Sequence, residues 1–354
     1  MKIRYYSPMP PAPTGVADYS AELLPYLKAL GEVDVNPSVD GTGIPVYHVG
    51  NNGLHREIYQ RAVREPGIVV LHDALLQHFL LGTLDPERYA EEFSYNYGES
   101  SRALALQLWQ ERGRSGSDPR YFEHPMLKRI ATTARAIIVH NPAAVDRVRQ
   151  HQTAELHPPV IEIAHYFTPP ALPSAIETAE FRRSLGLAPE TLLVGTFGHQ
   201  RETKRPASVL RGFHRAVEAG ANIRLLFSGS FVSAMLEPTL ATLLDHPRII
   251  RTGHLSETDF WRYASATDLC VNLRYPSAAE SSGIAVRLMG IGKAVAFTDG
   301  PAIARIPQDA CLRIDHGAGE ERMLTDYLVW LAQDPARASA IGQSAAKHIA
   351  AYHR

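Results

Sequence analysis

The residues best equipped for chemistry in this chain are cations and carboxylates set beside glycines. One such group is Gly195-Thr196-Phe197-Gly198-His199-Gln200-Arg201-Glu202-Thr203-Lys204-Arg205. An apolar run enters a glycine turn, a cluster of cations follows, and a helical pattern begins at Ala207. Phosphate recognition uses this arrangement. Glycine permits close backbone approach, and cations and free N–H groups at a helix start oppose the anion. Gly198, His199, Arg201 and Lys204 are the candidate ligands. An exposed basic loop would have the same composition.

A second group runs from Tyr275 to Val295. A loop carries Glu280, and a helix follows with Ile284, Leu288 and Ile291 on one face, stopping at Gly292. The amides of Ser281, Ser282 and Gly283 stand where a helix start can hold a diphosphate. A carboxylate beside such a nest repels a bare phosphate but accepts hydrogen bonds from sugar hydroxyls, so the pairing points to a sugar phosphate. The plain alternative is a glutamate stabilised by the helix dipole.

Two further groups lie earlier. Pro13-Thr14-Gly15-Val16-Ala17-Asp18 opens a helix after the first apolar run, and Gly15 leaves room for a ligand over the free N–H groups. A plain strand-to-helix turn reads the same way. Val70-Leu71-His72-Asp73 ends a buried strand, where His72 can hydrogen-bond a substrate hydroxyl or move a proton. A lone histidine is also a common structural residue. No GxGxxG follows any strand, which counts against a nicotinamide dehydrogenase.

Strands and helices must position these groups. Short runs without polar alternation suit strands covered on both faces. They are expected at Ile3–Tyr6, Val33–Pro37, Pro45–His48, Ile68–Leu71, Ala136–Val139 and Val160–Ile163, then at Leu192–Phe197, Arg224–Ser228, Ile249–Thr252, Leu269–Asn272, Ala294–Phe297 and Cys311–Ile314. Helical patterns fill many gaps. The fold class is α/β, an open parallel sheet repeated twice. Three prolines in Thr168–Ser174 mark a hinge. The expected domains are therefore 1–168, with a helical insertion at about 86–125, and 169–335. A helix over 336–354 is expected to pack back on the N-terminal domain. Tyr95, Tyr97, Arg102 and Trp109 in the insertion are either acceptor-facing or core.

Length and composition fit two ordinary globular domains: 354 residues, 45% hydrophobic, 21% charged. A net charge of -1, with cations spread along the chain, gives no footprint for nucleic acid. The two cysteines, Cys270 and Cys311, lie in or beside apolar runs and read as buried thiols rather than a disulfide or zinc framework. No signal peptide or membrane span is legible, so a cytoplasmic location is expected, with peripheral contact at the inner membrane face left open.

At the basic loop and the Glu280 helix the chain resembles retaining glycosyltransferases of the GT-B fold, specifically glycosyltransferase family 4. The resemblance covers nearly the whole chain and is clearest in the second half, where Thr252–Asn272 also looks like that family's base-binding loop, helix and strand. It implies two Rossmann-like domains with parallel sheets facing across a cleft: an acceptor-side N-terminal domain and a donor-binding C-terminal one. Lys204 would contact the donor diphosphate, and Glu280 would bind donor-sugar hydroxyls. The Ser282 and Gly283 amides would hold phosphate. His254 and Leu255 would lie near the base, Gly15 near the diphosphate and His72 near the transferred sugar. Arg287 stands where that family usually has its ribose-binding glutamate, and His199 where it has an arginine. Arg201 would supply the missing charge, and Arg287 would pair with phosphate or with Glu280. The implied reaction moves a hexosyl group from a nucleotide-diphosphate sugar to a sugar-containing acceptor, with retention and without a metal or other cofactor. A nucleotide-sugar epimerase of the same fold and a non-catalytic nucleotide-sugar-binding protein are the competing readings.

Overall fold

The computed structural model describes residues 2–38 and 41–353; Met1, Val39, Asp40 and Arg354, all within the expected domains, lie outside it. The chain forms two compact units. The first is Met1–Ala164 with Pro276–Ser281, and the second is His165–Tyr275 with Ser282–Arg354.

The sheet of the first unit contains β1 (Lys2–Tyr6), β2 (Glu32–Val35), β3 (Ile44–Val49), β4 (Ile68–Leu71), β5 (Ala136–Val139) and β6 (Val160–Glu162). All pairs are parallel, in the order β2-β1-β3-β4-β5-β6. The second unit contains β7 (Leu192–Thr196), β8 (Ile223–Ser228), β9 (Ile249–Gly253), β10 (Leu269–Asn272), β11 (Ala294–Thr298) and β12 (Leu312–Ile314). These too are all parallel, in the order β12-β11-β10-β7-β8-β9. Every strand expected from the sequence is present, displaced by at most two residues at either end. The central strands are apolar because helices cover both faces; every residue of β7 and β10 is buried.

Strand order decides where ligands can enter. In an open α/β sheet a crevice forms at the carboxyl ends where the order reverses. That point lies between β1 and β3 in the first sheet and between β7 and β10 in the second. The loops that leave these four strands therefore matter most.

The boundary departs from the expected one. The chain leaves the first unit after Ala164, before the prolines. His353 pins the residues just beyond Ala164: its Nδ1 donates to the His165 carbonyl at 2.6 Å, and its own carbonyl accepts from Phe167 N at 2.8 Å. The proline segment thus belongs to the second unit. So does the C-terminal helix Ala336–Tyr352, which was expected on the N-terminal domain but packs on the helix Gly283–Gly290 and on β11. The insertion buries one apolar face in the core and leaves the rest, Tyr95 included, exposed. Tyr89, Phe93, Leu108 and Tyr121 are fully buried. Trp109 packs on Tyr89, the Tyr97 hydroxyl accepts from Met126 N at 2.9 Å, and Arg102 pairs with Glu87.

Candidate functional site

In the second unit, β7 ends at Thr196 and the chain turns at Gly198, whose φ is +76°. A Cβ there would stand 2.5 Å from Ile284 Cδ1 and 3.2 Å from Lys204 Nζ. Only glycine allows this approach, and it joins the loop after β7 to the first turn of the helix Gly283–Gly290 after β10. Lys204 closes a short 3₁₀ turn and donates from Nζ to the Phe197 carbonyl at 2.6 Å. The same turn is tied to the end of β10, since Tyr275 N donates to the Thr203 carbonyl at 2.8 Å. The two loops at the switch point are thus locked together around the Lys204 ammonium.

The other turns along this edge are stacked as tightly. A Cβ on Gly229 (φ +114°), after β8, would fall 2.1 Å from the Gly198 carbonyl oxygen, and Gly229 N donates to Gly253 O at 2.7 Å. The stacking brings His254 close enough to act on His199. Burial, and then the charges of Arg201, Lys204 and His254, hold the His199 imidazole below its usual range. The neutral form is favoured for that reason, and an arriving anion would favour protonation instead. Leu255 follows in the turn before the helix Glu257–Ala266, which Ser256 caps.

The helix Gly283–Gly290 is capped by Ser282, whose Oγ accepts from Ala285 N at 3.3 Å. Its dipole and free first-turn amides face the switch point. One turn on, the Arg287 guanidinium lies over the rings of Trp261 and Phe260, at 5.5 and 5.9 Å from their centroids.

Glu280 belongs to the first unit, not the second. Ala279 is buried in the first unit's core, and its carbonyl accepts from Asn141 Nδ2 at 2.9 Å. Ser281 Oγ donates to the His140 carbonyl and accepts from Asn141 Nδ2, both at 3.1 Å. Ser277 O takes a 3.2 Å bond from Arg147. Glu280 itself folds back on this loop, with Oε2 accepting from Ala278 N at 2.9 Å and Ser277 Oγ at 3.2 Å. Burial lowers the Arg147 guanidinium from its usual range, and the Glu280 carboxylate opposes that effect.

Elsewhere in the first unit, Gly15 opens the helix Gly15–Leu30, capped by Thr14. A Cβ there would meet nothing within 4 Å, so the fold itself does not demand a glycine; open space lies over the helix start. Tyr19, one turn along, meets His72 edge-on with centroids 5.0 Å apart. His72 follows β4 and bonds His48, at the end of β3, through Nε2···Nδ1 at 2.9 Å. His140, after β5, completes the group, its ring 5.1 Å from that of His72. Asp73 accepts from Asn51 N at 3.0 Å.

Sequence reasoning missed several neighbours. Arg274 leaves β10 half-buried and, with Lys204, acts electrostatically on the Cys270 thiol, which burial pushes up to about 12. Thr196 and Asn272, at the ends of β7 and β10, are buried and have polar atoms (Oγ1 and Nδ2) with no hydrogen-bond partner among the described residues. Their adjacency to the switch point depends on strand order, which no local pattern reveals. Arg205, a twin of Lys204 in the sequence, turns away to pair with the buried Glu320 at 2.9 Å. Among the described residues no group of histidine, cysteine and carboxylate side chains is arranged to hold a metal ion, and no helix is long and apolar enough to cross a membrane.

No protein-family model matches the chain, and no curated protein sequence matches it. Solved structures do. Sucrose-phosphate synthase from Thermosynechococcus elongatus aligns over 100% of this chain and 95% of its own, with TM-score 0.66 and 15% identity. Anabaena HepE in complex with UDP-glucose aligns over 100% and 95%, with TM-score 0.64 and 14% identity. WaaG, a glycosyltransferase involved in lipopolysaccharide biosynthesis, aligns over 99% and 95%, with TM-score 0.56 and 14% identity. The likeness shows the fold: two Rossmann-like domains of the GT-B type.

Proposed function

We propose that the chain is a glycosyltransferase that moves a hexosyl group from a nucleoside-diphosphate sugar to an acceptor hydroxyl on a saccharide or glycolipid precursor. The observation that carries this reading is the meeting of Gly198 and Lys204 with the helix start at Ser282–Ile284, at the switch point of the second sheet. A cation, a close glycine backbone and a free helix N-terminus together suit a phosphate group, as a diphosphate supplies. The GT-B fold and a solved neighbour in complex with UDP-glucose add support.

In this reading the bond between the anomeric carbon and the diphosphate oxygen breaks, and charge builds on the leaving phosphate. Lys204 and the Ser282 and Gly283 amides are preorganised donors for that charge, the effective device for such a step, and the exposed Arg201 is a further cation on the same loop. The acceptor oxygen bonds the anomeric carbon on the face the diphosphate leaves, and the departing phosphate oxygen takes its proton. Configuration is thereby retained. No metal is required, since the leaving charge is met by protein groups. His72 and Glu280 are assigned to hydroxyls of the transferred sugar, Gly15 to the space beside the diphosphate, and His199, His254, Leu255 and Arg287 to the nucleoside end. We place the enzyme in family 4 and on the cytoplasmic side, reaching a membrane only peripherally.

A thermal-shift screen with UDP, GDP, ADP and their sugars tests the reading directly. One nucleotide series is expected to raise the melting temperature, and the matching sugar to be consumed only when an acceptor is added. Sugar interconversion without acceptor would identify an epimerase instead. Binding with no transfer to any acceptor pool would identify a non-catalytic binder.

A further inference from the structure

The group around His72 contains a histidine that the proposed reaction does not use. His48 is the fifth residue of β3 and is fully buried. Its ring lies 4.6 Å from that of Tyr5 and 5.9 Å from that of Tyr19. Its backbone is held as well, because its carbonyl accepts from His55 Nδ1 at 2.9 Å. Its one side-chain hydrogen bond among the described residues joins Nδ1 to His72 Nε2 at 2.9 Å, and its Nε2 has no partner there.

From this geometry we infer that His48 is a positioning residue that fixes the tautomer of His72. A neutral imidazole carries one N–H. On Nε2 of His48 that proton would be a buried donor with no acceptor, the rarer and costlier defect; on Nδ1 it has His72 Nε2 to donate to. The His48–His72 bond therefore runs from His48 to His72. Burial supports a neutral His48, since it pushes the imidazole down to about 3, aided by His140 and His55. His72 Nε2 is then an acceptor already engaged, and the proton of a neutral His72 sits on Nδ1. His72 enters its site as a hydrogen-bond donor through Nδ1, not as a base through Nε2. His140 follows the same rule, because its Nδ1 faces the Ile163 carbonyl at 2.9 Å and must donate to it.

The assignment of His72 to the transferred sugar rests on the proposed function; the tautomer does not, and one experiment separates the two. The full chain is labelled with ¹⁵N-histidine, and long-range ¹H–¹⁵N spectra are compared for the wild type, His72→Gln to assign the resonance, His48→Phe and His48→Asn. The wild-type protein is expected to show His72 protonated at Nδ1. Phenylalanine keeps the bulk of the ring but removes the donor, so His72 should move toward the Nε2–H form common in free imidazole. The asparagine amide restores a donor near the position of Nδ1 and should restore the pattern. With a donor sugar identified, His48→Phe should lower kcat by about 10-fold or more with little change in the donor KM, and His48→Asn should recover most of it. A wild-type His72 protonated at Nε2 overturns the inference without need of any variant. So does a folded His48→Phe protein that keeps both the wild-type tautomer and the wild-type kcat. Failure to find any transfer would count against the proposed function and leave the spectroscopic result to decide the role of His48.

Discussion

Ile284 fills the space that a side chain on Gly198 would need: a Cβ at residue 198 would stand 2.5 Å from its Cδ1. This contact holds the loop after β7 against the helix after β10. Gly198→Ala therefore meets two penalties, a left-handed φ of +76° and a clash. Together they should cost about 2–4 kcal/mol. Ile284→Val removes Cδ1, so the double variant should recover the clash component and keep the backbone component. Urea unfolding of the wild type, the two single variants and the double variant checks this, and additive effects of the two substitutions would show that the clash contributes nothing.

Lys204 holds its loop through the Phe197 carbonyl and also provides the cation at the switch point. Lys204→Ala is expected to stay folded while weakening binding of the matching nucleoside diphosphate by about 10- to 100-fold, the loss of a charged hydrogen bond. Transfer should fall further, because charge on the leaving phosphate grows in the transition state. Calorimetry at low and high salt reads the first effect. Wild-type affinity in the variant would remove Lys204 from the site.

Glu280 separates a structural role from a ligand role. Its carboxylate caps Ala278 N and Ser277 Oγ and faces Arg147. Glu280→Ala leaves a backbone donor unpaired and should cost about 1–3 kcal/mol. Glu280→Gln keeps an acceptor at that place and should be milder in stability. If the carboxylate also binds sugar hydroxyls, both variants lose most transfer activity. A fully active Gln variant would reduce Glu280 to a loop brace.

His48 should make the protein acid-sensitive. Its folded-state pKa is depressed to about 3 from 6.5. Above the unfolded value it is neutral in both states. As pH falls from 6.5 toward 3, the unfolded chain gains a proton there that the folded chain refuses, so stability declines by up to about 1.4 kcal/mol per pH unit. His48→Asn removes this one proton from the linkage. Unfolding free energies measured at about pH 7 and about pH 5 should differ less in the variant. An unchanged pH slope would mean that His48 takes up its proton in the folded state.

Much of the architecture was legible along the chain. Buried parallel strands need apolar residues on both faces, so Leu192–Thr196 and Leu269–Asn272 announce themselves as unalternating runs. The turn at Gly198 and the capped helix at Ser282 are equally local, since each depends on a few adjacent residues. Tertiary structure decided the rest, for a different reason: it joins residues whose separation leaves no periodic trace. Strand order put β7 beside β10 and so brought two distant loops together. Lys204 and Arg205 are adjacent cations, yet only packing sends Arg205 to Glu320. Pro276–Ser281 sits between elements of the second unit, yet Asn141 and Arg147 hold it in the first. His48 is one more residue of a buried strand until the fold sets its ring against His72. Local sequence carries backbone preference and burial; which side chains meet depends on the whole chain having closed.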